Sequence, residues 1–424
     1  MDTPYEKLKK LYAIYGNNKF LLDIFPNMKF YKKNKKNNKI NSSNIKSRKK
    51  EVSLYHSTTG DLNNPLTLIP DYYDPSFNLS EKVFNVNTTA HDSFATVFLQ
   101  YYNYNNKTIK SNIVLKQIND SDETEYDGSI FHYLLYFYYQ INAPEKLQYL
   151  CNLYEIGKIQ NTNLIYGIME HCGDELMKID KYLIINKNPT NESKLLFIIT
   201  IFKKCLLSLK LIHDIGYLHH DIKPENFLIK FIGNEIQVKI IDFRLVIKSG
   251  STIKGLNGSG PYFPNDYLKN YFDNKTTIIE KHHDIFSLGC LFIELLFSLL
   301  HLCDTNILKL YMACPITFTN PDENYKNDNK SKNNRYSKYP KLENTLKIRE
   351  KYNWELHNSD MKNITELIKK LIDIKNINEI SELINIIIYK MVDPMPSERY
   401  KSIDEILPFI NSLLLLFSLK IKNN

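Results

Sequence analysis

The chain has 424 residues, 43% of them hydrophobic, and a formal net charge of +8. That is enough apolar material for a large core, and enough length for two or three domains or one bilobal enzyme with extensions. The charge excludes a basic surface spread over the whole protein, because residues 31–50 hold Lys32, Lys33, Lys35, Lys36, Lys39, Lys46, Arg48, Lys49 and Lys50 without an acid, while the remainder is near neutral.

In chain order, residues 1–30 begin with Leu8, Leu11, Tyr12 and Tyr15 at helical spacing, which predicts an N-terminal helical extension. Residues 31–80 read as a basic flexible linker and lead-in. The linker could meet nucleic acid or anionic lipid, but beyond Tyr31 no aromatics interleave with the lysines, and a solvated tether is the plainer reading. From Val83 the pattern turns strand-like. Phe94–Tyr102 and Asn112–Ile118 are β-rich with a hairpin-like connection between them. Ser129–Ile141 is a helix candidate crowded with aromatics, read as core packing, and strands are expected at Tyr149–Ile156 and Leu164–Glu170.

After Cys172-Gly173 the character changes. Leu195–Ile215 predicts a long apolar helix, and strands follow around Asn226–Ile229 and Val238–Ile241. Asp284–Leu300 and Ser381–Val392 are further helix candidates, and the polar, Asn- and Lys-rich stretch 315–352 reads as a loop insertion. Strands first and helices second predict an α+β molecule of two lobes, a small β-rich lobe over residues 81–172 and a larger helical lobe over 173–424, with a cleft between them.

Six scattered cysteines form no C-x-x-C pair, which predicts buried free thiols in a reducing, cytoplasmic compartment. Met1–Lys10 is charged and offers no secretory apolar region. The most apolar run, Leu288–Leu302, is short for a membrane span and is interrupted by Glu294, so it is expected as a buried helix.

The chemistry concentrates in His219-His220-Asp221-Ile222-Lys223-Pro224-Glu225-Asn226, followed by Ile241-Asp242-Phe243. A carboxylate can orient an acceptor hydroxyl and take its proton, a lysine two residues on can neutralise a transferred phosphoryl group, and an amide oxygen with a second carboxylate suits a hard cation such as Mg²⁺. These residues resemble the H-R-D-x-K-x-x-N and D-F-G motifs of the eukaryotic protein kinase family, over roughly residues 80–412, and Lys-Pro-Glu-Asn resembles its Ser/Thr branch. The resemblance implies a bilobal kinase fold that uses ATP and Mg²⁺ to phosphorylate protein substrates. Asp221 and Lys223 would be catalytic, and Asn226 and Asp242 would bind metal.

Other matches fall in order. Ile113-Val114-Leu115-Lys116 resembles the strand whose lysine meets the ATP phosphates, and Met169-Glu170-His171-Cys172 resembles the adenine-binding hinge. The resemblance thus gives Lys116, Val114, Met169, Glu170, Cys172 and Leu228 to ATP. Asp284-Ile285-Phe286-Ser287-Leu288-Gly289 resembles the helix whose aspartate holds the catalytic loop, and Asp393-Pro394 with Arg399 resembles a late structural element.

The chain also departs from the pattern. The phosphate-loop alignment Ala90-His91-Asp92-Ser93-Phe94-Ala95-Thr96-Val97 lacks all three glycines, and Asp92 would repel triphosphate, so weakened ATP binding is expected. Arg244 replaces the glycine of D-F-G and is expected either to contact phosphate or to hold one fixed state. His220 replaces the arginine of H-R-D, which predicts independence from loop phosphorylation at Ser249, Ser251 or Thr252. The partner of Lys116 is open. Glu123 and Glu125 lie close in sequence, whereas the aromatic helix places His132 near the expected position and would leave the pair unmade. Asp266 stands where a glutamate pairs with Arg399, and Ser259 stands where Ser/Thr kinases keep a threonine beside the catalytic Asp and Lys. His282-His283-Asp284 is only superficially a metal pair, since adjacent histidines do not share a helical face. The alternative to catalysis is a pseudokinase scaffold, and a small-molecule kinase is a third reading.

Overall fold

A computed structural model describes residues 19–25, 53–56, 68–73, 83–91, 95–104, 107–119, 123–159, 164–179, 189–233, 235–259, 262–302, 354–372 and 376–421. The basic run 31–50, the loop insertion 315–352 and the periodic positions Leu8–Tyr15 lie outside them. Two compact units emerge, the first formed by Met1–Gly173 with Ile241–Arg244, the second by Asp174–Ile240 with Leu245–Asn424.

The first unit is built on a seven-stranded sheet. Its strands are β1 (Ser53–His56), β2 (Leu68–Tyr73), β3 (Val83–His91), β4 (Ala95–Tyr104), β5 (Lys107–Asn119), β6 (Leu153–Ile159) and β7 (Leu164–Glu170), in spatial order β1-β3-β4-β5-β7-β6-β2. The β1–β3 pair is parallel and the others are antiparallel. β1 and β2 fall within the stretch read as linker and lead-in. They contain Leu54, Tyr55, Ile69, Tyr72 and Tyr73, strand-prone residues that the basic run before them overshadows. The 13-residue β5 is central, and its register sets Lys116 opposite Val97 on one side and Gly167 on the other.

Helix α1 is a single turn, Leu21–Ile24, and α2 spans Glu123–Asn142. The expected helix Ser129–Ile141 therefore starts six residues earlier, at an acidic first turn that complements the helix dipole. Its aromatic run is core, as expected: Phe131, Tyr133, Phe137 and Tyr139 are each at most 2% exposed. Three surfaces cover it. β6 packs on one. Phe20 and Phe25 of the N-terminal segment meet Phe131 and Phe137, with ring centroids 5.2 and 6.2 Å apart. Phe243 covers the third, 5.7 Å from Phe131. Each buried aromatic of this kind stabilises by roughly 2–3 kcal/mol.

The second unit is helical around α3 (Asn191–Asp214) and α5 (Lys281–Leu300). Thr190 caps α3 by accepting from the Ser193 amide at 3.2 Å. Leu195, Ile198, Phe202, Leu206 and Leu209 recur at helical spacing and are fully buried, with Phe202 stacked on Phe292 of α5 at 3.9 Å. Among the described residues, α5 is the one helix long and apolar enough to cross a membrane, and it is buried throughout. One oxygen of its interrupting acid is paired, since Tyr262 Oη donates to Glu294 Oε2 at 2.8 Å. At Gly289 a Cβ would lie 2.7 Å from Val392, so glycine lets the end of α7 (Ile377–Met391) approach.

The remaining elements are small strands, a short helix and two peripheral helices. β8 (Asp174–Glu175) pairs with β10 (Phe227–Ile232), which forms a hairpin with β11 (Glu235–Ile240). β9 (Tyr217–Leu218) pairs with β12 (Ile247–Lys248), and β13 (Thr252–Ile253) pairs with β14 (Thr277–Ile278). Helices α4 (Asn265–Phe272), α6 (Trp354–Leu371) and α8 (Leu407–Ile421) had no counterpart in the sequence reading.

Candidate active site

In the second unit, the loop between β9 and β10 is shaped by one buried carboxylate. Asp284, in the first turn of α5, accepts from the amide of His219 at 2.8 Å and from that of His220 at 2.9 Å, and lies 3.0 Å from His213 Nε2. Burial alone would raise its pKa, but the His213 contact, with the neighbouring imidazoles and backbone donors, holds it below the ordinary carboxylate range. Those two amides fix His220 at φ 65°, a left-handed conformation unusual for a residue with a Cβ. Burial depresses the His220 imidazole's pKa and favours its neutral form.

The loop then delivers Asp221. Its Oδ1 accepts from Ser259 Oγ at 2.7 Å, and its Oδ2 accepts from Lys223 Nζ at 2.7 Å and from Asn226 Nδ2 at 3.1 Å. Lys223 also donates to Ser259 Oγ at 3.1 Å. Asn226 Nδ2 donates a second time, to the Asp221 carbonyl at 2.7 Å, which commits the amide nitrogen inward and turns Oδ1 into the atom available to a cation. Four of the residues singled out in the sequence thus form one connected polar group. Leu228 follows on β10, half-buried and opposite Glu175.

In the first unit, Lys116 Nζ donates to Glu125 Oε2 at 2.9 Å. This resolves the open partner in favour of Glu125 and against the reading in which the helix brings no acid. The helix begins at Glu123, so Glu125 lies on it, while His132 turns away and its Nε2 donates to the Cys151 carbonyl at 2.5 Å. Asp242 adopts φ 64°, with the Arg244 amide 3.4 Å from its Oδ1. Arg244 Nε lies 3.6 Å from Glu125 Oε1. Burial raises the pKa of Glu125, Lys116 lowers it, Asp242 adds to the rise and Arg244 opposes it, with the balance upward.

The phosphate-loop alignment falls on the β3–β4 hairpin. Ala90 and His91 end β3, Ala95, Thr96 and Val97 open β4, and His91 is in register with Thr96. Asp92, Ser93 and Phe94 lie outside the described residues. Val114 is buried beside Lys116 on β5, and Met169 and Glu170 end β7. The Glu170 carbonyl accepts from the thiols of Cys151 at 3.4 Å and Cys172 at 3.6 Å, and Cys172 is buried.

Asp266 does meet Arg399, with Nη1 2.9 Å from Oδ1. The Arg399 side chain is fully buried and also donates through Nε to the Asp393 carbonyl at 2.7 Å. His283 Nε2 lies 3.3 Å and His282 Nε2 3.9 Å from Asp266 Oδ2. The two rings stack at 4.2 Å, so these neighbours do converge on one carboxylate, contrary to the helical-face argument, because they sit in the first turn. Asp266 completes the trio in place of Asp284. Burial acts to raise the Asp266 pKa, and the two imidazoles and the guanidinium outweigh it and hold the carboxyl well below its usual range. Three cationic or donor groups around one carboxylate form an ion-pair cluster, and the guanidinium opposes a metal cation there.

Comparison with known proteins gives a consistent set of matches. The family model described as "Protein kinase domain" matches residues 93–407. The chain is 31% identical over 179 residues to maternal embryonic leucine zipper kinase of Danio rerio, covering 41% of this chain and 24% of that protein. It is 28% identical over 148 residues to the serine/threonine-protein kinase PEPKR2 of Arabidopsis thaliana, covering 33% and 27%. It is 26% identical over 195 residues to extracellular signal-regulated kinase 2 of Dictyostelium discoideum, covering 45% and 49%. The chain therefore spans between about a quarter and half of the length of these relatives.

Proposed function

Because the chain belongs to the protein kinase domain family, whose model covers residues 93–407, we propose that it transfers the γ-phosphate of ATP to serine or threonine hydroxyls of protein substrates with Mg²⁺. Family membership itself implies phosphotransfer to proteins, ATP as substrate and a divalent metal. The Ser/Thr choice, the identity of the metal and the competence for turnover are the proposal.

The observation that carries it is the arrangement around Asp221. A general base must present one carboxylate oxygen to the acceptor hydroxyl and be held in place by its neighbours. Ser259, Lys223 and Asn226 hold Asp221 in this way. In this reading Asp221 orients the hydroxyl and accepts its proton late in transfer, and Lys223 stabilises charge on the moving phosphoryl group. Ser259, joined to both, takes the place of the Ser/Thr-branch threonine.

The Asn226 amide oxygen in the second unit and the Asp242 carboxylate in the first are each hard oxygen ligands of the kind Mg²⁺ takes while keeping waters and phosphates, and a bound metal would neutralise phosphate charge. In the first unit Lys116, held by Glu125, would bind the α- and β-phosphates. The glycine-free hairpin would bind triphosphate weakly, since side chains at Ala90, Asp92 and Ala95 keep backbone amides from the phosphates. The buried cysteines Cys151, Cys172, Cys205 and Cys290 suit a reducing, cytoplasmic setting.

The glycine-free hairpin and Arg244 favour the competing reading, a binding scaffold without turnover. Thermal-shift titration with Mg²⁺–ATP, then detection of phosphate on the chain and on a general protein substrate, separates the two. Wild type should acquire phosphate and Asp221→Asn should not, with the same melting profile. Equal transfer by both would remove Asp221 from the chemistry, and nucleotide binding without any transfer would establish the scaffold.

A further inference from the structure

The family glycine that Arg244 replaces gives its segment access to conformations of both signs of φ. Arg244 is not among the described residues with positive φ, so the local backbone accepts a side chain without strain. That side chain is only 18% exposed, and its Nε lies 3.6 Å from Glu125 Oε1 while Lys116 takes Oε2. One buried carboxylate thus faces a cation from β5 and a cation from the Ile241–Arg244 segment. Burial makes a lone carboxylate costly, and two flanking cations offset part of that cost.

Two further contacts join the same surfaces. Gly128 lies three residues after Glu125, on the same face of α2. A Cβ on it would come within 2.7 Å of the Arg244 Cα and N and of the Phe243 carbonyl oxygen, so the segment's backbone lies directly against the helix. The buried Phe243 ring packs against His132 at 4.5 Å and Phe131 at 5.7 Å. The helix is therefore gripped by backbone, ring and charge from one four-residue segment.

The geometry points to Arg244 as a positioning residue: its guanidinium shares Glu125 with Lys116, fastens the Asp242–Arg244 segment to α2, and so fixes the lysine–glutamate pair and Asp242 in a single arrangement. In this chain the segment is a strut. The consequence for turnover rests on the phosphotransfer reading; the fastening does not.

The test is amide hydrogen exchange on the full chain, wild type beside Arg244→Gly, Arg244→Met and Arg244→Lys. Met keeps the apolar stem and removes the charge. Exchange over Glu123–Phe131 should rise about tenfold in the Gly and Met variants, stay near wild type in Lys, and be unchanged over Asn191–Asp214 in all three. Adding Glu125→Gln to Arg244→Met should raise it by less than Glu125→Gln raises it in the wild-type chain, because only the Lys116 pair is then left to lose. The ATP-dependent kcat should fall with the loss of protection and return in the Lys variant. Unchanged protection over Glu123–Phe131 in both the Gly and Met variants would overturn the strut, and so would a Lys variant as exposed as Met. If wild type transfers no phosphate while the exchange contrast appears, the strut stands and the catalytic reading falls.

Discussion

Lys116 Nζ donates to Glu125 Oε2 at 2.9 Å, joining the C-terminal part of β5 to the first turn of α2 across only nine residues of chain. So short a connection leaves the helix start little freedom, and the pair ties it to the strand. Glu125→Gln keeps the shape and removes the charge. It should lower kcat/KM for ATP by about 10- to 100-fold, through a lysine no longer aimed at phosphate, with the overall fold retained. Steady-state kinetics with circular dichroism checks this, and a loss under threefold would make the pair dispensable.

Ser259 bridges Asp221 Oδ1 at 2.7 Å and Lys223 Nζ at 3.1 Å. Removing its hydroxyl takes the donor from Asp221 Oδ1, leaves Lys223 and Asn226 holding only Oδ2, and so loosens the carboxylate. Ser259→Ala should cut kcat by about tenfold, one charge-assisted hydrogen bond's worth, with a smaller effect on KM for ATP, and Ser259→Thr should restore it. Threonine failing to rescue would mean that the hydroxyl is not what matters at this position.

Much of this site is legible in the sequence because its residues are local. Asp221, Lys223 and Asn226 occupy six consecutive positions, and their mutual hydrogen bonds follow from one loop. Ser259, Asp266 and Asp284 are placed by their order along the chain. The partner of Lys116 is harder to read, because an aromatic-rich helix has no polar face to mark its start. Tyr126 and Gly128 obscure the continuity between Glu123 and Ile130, and tertiary burial rather than periodicity sustains the helix there. The convergence of His282 and His283 on Asp266 is equally hidden, since it depends on a stacked pair of rings at a helix end. The helices α6 and α8 are missed for opposite reasons. The first is amphipathic, and its pattern is overshadowed by the long polar stretch before it; the second is apolar nearly all round and shows no periodicity to read.

Asp284 carries a pH dependence. It is buried, and its contacts hold its pKa below the ordinary value in the folded chain. Its contribution is therefore fully present above the unfolded-state pKa of about 3.9 and is lost as pH falls through the lower folded value. Asp284→Asn removes the charge but leaves one oxygen for two amides. It should cost about 2–4 kcal/mol at neutral pH and flatten the acid limb of the stability curve. Urea melts between pH 3 and 7 on both chains test this, and parallel curves would place the stabilisation elsewhere.

Gly128→Ala sets helix propensity against packing. In an exposed helix interior alanine would stabilise by about 1 kcal/mol over glycine. Here the added methyl would sit 2.7 Å from Arg244 Cα and from the Phe243 carbonyl oxygen, both backbone atoms that cannot turn aside as a side chain would. The clash must move either α2 or the Ile241–Arg244 segment, and overpacking of this kind costs about 1–3 kcal/mol. Packing should win, giving a net loss of stability, faster exchange over Glu123–Phe131 and a fall in kcat/KM from a displaced Asp242. Because propensity alone predicts the opposite sign, a stabilised and fully active Gly128→Ala chain would show that the segment does not lie against the helix in solution.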